Sequence, residues 1–185
     1  MLEAIFLDRD GVINQERADY VKSWDEFQIL PGVLVALRRL AALQIPICVL
    51  TNQSAIARGR VRAEVVCEIH QRLGQLVEAH GGRIDAFFVC PHHPLDNCDC
   101  RKPKPGLLYQ AASQFGVDLA HCVFIGDAFT DYLAAPAAHC QAMLVLTGRQ
   151  GAELHDLLQD REGVSIFPDL TRAVDAIARR YGDTD

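Results

Sequence analysis

Short, unbroken apolar runs alternate with amphipathic stretches along almost the whole chain. The runs fall at residues 4–7, 45–50 (IPICVL), 84–89, 123–125, 143–146 and, weakly, 164–167. They do not switch between apolar and polar at each residue, as a strand with one wet face would. Strands buried on both faces read this way, and helices covering both sides of a parallel sheet bury them so. The stretches between supply the helices. Val33, Leu37 and Leu40 recur at helical spacing within 32–43. Val65, Val66, Ile69, Leu73, Leu76 and Val77 do so within 62–80, which Gly81 and Gly82 close. Further helices are expected at 107–115, stopped by Gly116, and at 131–138, 154–158 and 170–181. The expected fold is an α/β three-layer sandwich around a mostly parallel central sheet.

A chain of 185 residues suffices for one well-buried domain, and no repeat or linker divides it, so residues 1–185 are expected to form a single domain. No insertion is long enough for a large cap domain. The opening MLEAIFLDRD carries an acid and no basic region, so a signal peptide is not expected. No apolar run approaches the roughly 20 residues of a membrane span. A cytoplasmic protein without membrane partners is the expectation. The net charge of −6 weighs against a nucleic-acid partner but leaves room for a small anionic substrate held by a few basic residues. No exposed apolar helix stands out, and a monomer is expected.

In open parallel sheets, ligands bind beyond the carboxyl ends of the strands. The polar residues that follow strands one, two and four are Asp8 and Asp10, Thr51 and Asn52, and Asp127. They are distant in sequence, and this fold brings them to one edge. Two aspartates at i and i+2 leaving a strand aim at one ligand. One is positioned to attack phosphorus, and the other to protonate the leaving oxygen and then activate water. A phosphoryl group is itself anionic, so such a site needs a cation, and Mg²⁺ suits a few carboxylates with water and phosphate. Arg101 to Lys104 (RKPK) offers further positive charge. Taken singly, DRDG is a turn-prone stretch and TNQS a turn or helix cap. Their order at successive strand ends is what turns them towards catalysis.

FLDRDGVIN, TNQS, RKPKP and IGDAFTD, in that order, resemble the four motifs of the haloacid dehalogenase superfamily, over nearly the whole chain. The resemblance implies a Rossmann-like phosphotransferase fold, with Asp8 as the nucleophile that becomes aspartyl-phosphate and Asp10 as the general acid/base. It also implies Mg²⁺ held by the Asp8 carboxylate, the Asp10 main-chain carbonyl and Asp127. Thr51 and Asn52 contact the phosphoryl group on this likeness, and Lys102 is the motif lysine, with Lys104 as the alternative. An aspartate at position 10 favours a phosphatase over a dehalogenase, because an ester leaving group needs a proton.

Seven cysteines in a chain expected to stay in a reducing compartment point to metal ligands before disulfides. CPHHPLDNCDC sets Cys90, His92, Cys98 and Cys100 as C-x-H-x5-C-x-C. Three thiols and an imidazole form a closed, structural Zn²⁺ set in a loop at about 90–104. His93 is the alternative imidazole, and a dithiol switch the alternative chemistry. Cys48, Cys67, Cys122 and Cys140 lie in or beside apolar runs and are expected to be buried. The cysteine loop with its CRKPKPG continuation, DRDGVIN and TNQSAIARG is similar to the family of phosphatases acting on D-glycero-D-manno-heptose 1,7-bisphosphate. That resemblance implies a small phosphorylated sugar as substrate, loss of its 7-phosphate, and Arg101 among the substrate contacts. Histidinol-phosphate phosphatases share both features and are the enzymatic alternative. A zinc-stabilised binding module is the non-enzymatic one.

Overall fold

The computed structural model describes residues 1–158 and 164–181; residues 159–163 and 182–185, which the single-domain expectation includes, lie outside the described residues. The strands are β1 (Ala4–Leu7), β2 (Ile47–Asn52), β3 (Ala86–Cys90), β4 (Cys122–Gly126), β5 (Gln141–Val145) and β6 (Ser165–Phe167). The helices are α1 (Val33–Ala41), α2 (Ala63–Ala79), α3 (Gly106–Phe115), α4 (Phe129–Ala137), α5 (Gly151–Leu158) and α6 (Leu170–Tyr181). The six strands form one sheet in the order β3-β2-β1-β4-β5-β6, and every neighbouring pair is parallel. The sheet is therefore parallel throughout the described residues, where a mostly parallel one was expected.

The continuous apolar runs are explained by two cores, one on each face. Ile5 and Leu7 of β1, with Ile47, Val49, Val123 and Ile125, pack against Leu37 and Leu40 of α1, Ile69 and Leu73 of α2, and Val174 and Ile177 of α6. Ala4 and Phe6, with Cys48, Leu50 and Phe124, face Leu107, Leu108 and Ala111 of α3 and Ala134 and Ala135 of α4. Successive strand residues point to opposite faces, so both must be apolar. Cys48, Cys122 and Cys140 are buried in this way, but Cys67 is exposed. The reason is helical phase. The buried stripe of α2 is Val66, Ile69, His70, Leu73 and Val77, and Cys67 lies one residue off it.

Strand order places a crevice at one edge. The chain winds from β1 outward through β2 to β3, then crosses back to β4 on the other side of β1. This reversal opens a crevice beyond the carboxyl ends of β1 and β4. The segments leaving β1 and β3 hold only short 3-10 turns, Trp24–Glu26 and Pro94–Asp96, and no cap domain occurs among the described residues. None of the described helices is long and apolar enough to cross a membrane.

The closing helix α6 is held by its apolar face. Its surface contributes an ion pair between Asp175 and Arg39, 2.6 Å apart and partly exposed on both sides. Ile177→Ala, at a fully buried position, is expected to cost about 2–5 kcal/mol in urea unfolding. Asp175→Asn should leave the midpoint nearly unchanged, because exposed pairs contribute little.

Candidate active site

Asp8 is the first residue past β1, and its amide still donates to the Ile125 carbonyl of β4 (2.9 Å), so the sheet itself fixes where this side chain leaves. Thr51 and Asn52 end β2, and Asp127 follows β4 directly. These residues, with Asp10, Arg101 and Lys102, line one cleft of about 350 Å³ at the carboxyl edge of the sheet. Parallel pairing thus closes the sequence separation between Asp8 and Asp127, and the loop after β3 adds Arg101 and Lys102.

Lys102 stands at the centre. Its ammonium is 3.0 Å from Asp8 Oδ2 and 2.7 Å from Asp131 Oδ1, and it donates to the Leu50 carbonyl at 3.0 Å. The side chain is almost wholly buried. Burial works against its charge, but Asp131 and Asp8 outweigh it and hold the ammonium protonated. Burial pushes the Asp8 carboxyl up to about 7, opposed by Lys102 and reinforced by Asp131 and Asp10. Asp127 is raised well above the usual carboxylate range, first by burial and then by Asp8 and Asp131. Oxygens of Asp8, Asp127 and Asp131 lie within 4.8 Å of one another. Asp131 already has both oxygens engaged: Oδ1 with Lys102, and Oδ2 accepting from the Asp127 and Ala128 amides (3.2 Å each) at the start of α4. Asp8 is engaged as well, Oδ2 with Lys102 and Oδ1 accepting from the Arg9 amide (2.7 Å), and the three carboxylates together are an all-oxygen set that fits Mg²⁺. A Cβ at Gly11 or Gly148 would collide with the Asp127 carboxylate, so two glycines make the room it occupies.

Asp10 is held differently. Both its oxygens accept from Arg9 Nη2 (2.9 and 2.8 Å), Oδ1 from Asn14 (2.9 Å) and Oδ2 from Gln53 (2.8 Å). Burial alone would raise its pKa, but the Arg9 guanidinium and these bonds hold it below the usual range. The Thr51 hydroxyl accepts from Gln53 at 2.8 Å, which leaves its own proton to donate. The Asn52 side chain does not stand free for a phosphoryl group: it donates to the Lys102 carbonyl and accepts from the Lys102 amide, both at 3.1 Å. Lys104 turns away to Asn97 and Asp99 (3.0 Å each). Arg101 lines the cleft, and its buried Nη1 has no protein hydrogen-bond partner.

The loop after β3 gathers Cys90, His92, Cys98 and Cys100. Sulfur-to-sulfur distances are 3.6 Å from Cys98 to both Cys90 and Cys100, and His92 Nδ1 is 3.6 and 3.2 Å from Cys90 and Cys100. Edges of about 3.5–3.8 Å follow for a tetrahedron with Zn–S near 2.3 Å and Zn–N near 2.0–2.1 Å, so the set fits that ion. His93 lies outside it and caps the 3-10 turn by accepting from the Leu95 amide at 3.2 Å.

Several contributors were missed in the sequence, among them Arg9 and Asn14, which hold Asp10. Gln53 bridges Thr51 and Asp10; Arg58 and Arg149 also line the cleft. Gln53 sits in a stretch already singled out, and only its neighbours were given roles. Arg58 and Arg149 gave no signal, because nothing local separates them from surface charge.

A family model for haloacid dehalogenase-like hydrolases matches residues 2–139. The chain is 44% identical to D-glycero-beta-D-manno-heptose-1,7-bisphosphate 7-phosphatase of Pseudomonas aeruginosa over 94% of this chain and 96% of that one. Its fold is similar to that of D,D-heptose 1,7-bisphosphate phosphatase from B. bronchiseptica, solved with magnesium and phosphate, with a TM-score of 0.91 and 38% identity over 97% and 99% of the chains. The corresponding enzyme from Burkholderia thailandensis has a TM-score of 0.72 and 32% identity over 95% and 97%.

The raised carboxyl of Asp8 has a measurable consequence. Below about pH 7 it carries a proton in the metal-free protein, and a cation binding there must displace it. Adding Mg²⁺ to chelator-treated protein at about pH 6.5 should therefore release more protons than at about pH 8.5, the difference being the one that Asp8 holds only at the lower value. The pH of a weakly buffered solution reads this directly, and equal release at both values would contradict it.

Proposed function

Because the chain belongs to the haloacid dehalogenase-like hydrolase family, we propose that it is a Mg²⁺-dependent phosphatase that removes the 7-phosphate of D-glycero-D-manno-heptose 1,7-bisphosphate. The observation that carries the chemistry is the Asp8–Lys102 pair beside Asp127. It is a carboxylate aimed into a cleft, with a buried cation against it and a second carboxylate free for metal. The substrate rests on the near full-length likeness to relatives of that name.

In this reading an Asp8 oxygen attacks phosphorus and the ester P–O bond breaks. Asp10, a carboxylate before the ester enters, takes up a proton from solvent as the ester binds and gives it to the leaving sugar oxygen, and an aspartyl-phosphate remains. Water then attacks that phosphorus while Asp10 takes back a proton, and inorganic phosphate leaves with Asp8 restored. Mg²⁺ would be held by Asp8, Asp127 and the Asp10 main-chain carbonyl, and supplies neutralising charge for the anionic phosphoryl group. Lys102 adds fixed positive charge, and Asp131 keeps it and the Asp127 backbone in place. The Thr51 hydroxyl donates to a phosphoryl oxygen. Asn52 acts by pinning the Lys102 backbone. The unpartnered Arg101 Nη1 supports a direct contact with substrate. Zn²⁺ on Cys90, His92, Cys98 and Cys100 would close the loop that presents Arg101 and Lys102. The protein works as a cytoplasmic monomer.

Asp8→Asn is expected to lower turnover by at least about a thousandfold while zinc content, by elemental analysis, stays near one per chain. Turnover close to wild type would remove the nucleophile assignment. Parallel assays of heptose bisphosphate and histidinol phosphate test the substrate: kcat/KM should favour the sugar by about a hundredfold or more. Stripping zinc should lower the melting temperature and weaken substrate binding; an unchanged melting temperature and KM would argue against a zinc-shaped loop.

A further inference from the structure

His70 has no place in the chemistry above, yet it is buried on the apolar stripe of α2, where a polar ring needs a reason. Its Nε2 lies 3.1 Å from Arg9 Nη1. A guanidinium has only donors, so Nε2 is the acceptor, and His70 is neutral with its proton on Nδ1. The ring also stacks on Phe87 of β3, with centroids 4.5 Å apart and planes at 8°, which fixes its direction. Burial first, and the Arg9 charge second, push its pKa down to about 3, consistent with the neutral form.

Arg9 is the largest fully buried side chain of the protein's described core. Its Nη2 forks onto both oxygens of Asp10 while its Nη1 meets His70. Phe27 covers the guanidinium at 5.7 Å. The guanidinium is thus held from two sides, by the acid it orients and by the imidazole behind it. Arg9 Nε is already a buried donor without a partner, so loss of the acceptor at position 70 would leave the guanidinium a second one and Asp10 as its sole remaining hydrogen-bond anchor, free to turn or slide. Asp10 would move with it. Small displacements of a proton donor matter, since proton transfer needs hydrogen-bond reach in the transition state.

We propose that His70 is a positioning residue, which acts through Arg9 to hold the Asp10 carboxyl where it delivers its proton to the leaving oxygen. This rests on Asp10 being the general acid.

The test separates leaving groups by single-turnover phosphorylation of the Mg²⁺-loaded enzyme. A sugar oxygen leaves poorly without a proton, whereas 4-nitrophenolate leaves readily without one. His70→Leu and His70→Met lack the acceptor; His70→Gln keeps one. The first two should lose about 10- to 100-fold with heptose bisphosphate but at most about threefold with 4-nitrophenyl phosphate, with KM little changed. His70→Gln should recover most of the loss, and melting temperatures show which variants are folded. Equal losses on both substrates, no loss on either, or no recovery with Gln in folded protein would each overturn the proposal. Asp10→Asn is the reference. If it also fails to discriminate between the leaving groups, the general-acid reading of Asp10 falls. If it discriminates and the His70 variants do not, only the role of His70 falls.

Discussion

A single buried ammonium ties the working edge of this protein together. Lys102 reaches Asp8 after β1, the end of β2 through the Leu50 carbonyl, and Asp131 on α4. Three carboxylates crowd within 4.8 Å there, and their mutual repulsion in a buried setting would be costly without a cation among them. Lys102 supplies that cation from a loop, not from the sheet. Its backbone must therefore be fixed as firmly as its side chain, and the Asn52 amide does this from the end of β2. The cysteine and histidine cluster immediately before it constrains the same loop from the other end.

The two catalytic carboxyls of the proposed mechanism live in opposite surroundings two residues apart. Burial, and carboxylates within reach, raise Asp8, while Arg9, Asn14 and Gln53 lower Asp10. Bound metal would relieve the first by adding positive charge. The second is a carboxylate restrained by four hydrogen bonds, whose release or protonation must be matched to the arrival of the phosphate ester. Arg9 links this restraint to α2 and the edge strand β3, so the packing of one outer helix reaches the proton chemistry.

Much of this was legible from residue order. Unbroken apolar runs gave the parallel sheet, and polar residues just beyond strand ends gave Asp8, Thr51 and Asp127 as neighbours. The C-x-H-x5-C-x-C spacing gave the four members of the second cluster, and the structure then separated His92 from His93. Phase errors were confined to helix surfaces. Cys67 fell on the outside of α2 because one residue turns a helix by about 100°. The Asn52 side chain bonds both backbone groups of Lys102, a partnership across 50 positions that no local pattern reveals.

The sequence by itself determined the architecture, the edge at which these polar residues meet and the residue types gathered there, because strand periodicity and strand-end position are local properties. Only the tertiary structure decided which charges meet. Lys102 rather than Lys104 is buried against Asp8, Asp131 is taken up by Lys102 and two amides, and His70 backs Arg9 across 61 positions of sequence. Such partnerships depend on distances of a few ångströms between elements. Those distances are set by the packing of whole faces, and no short stretch of residues encodes them.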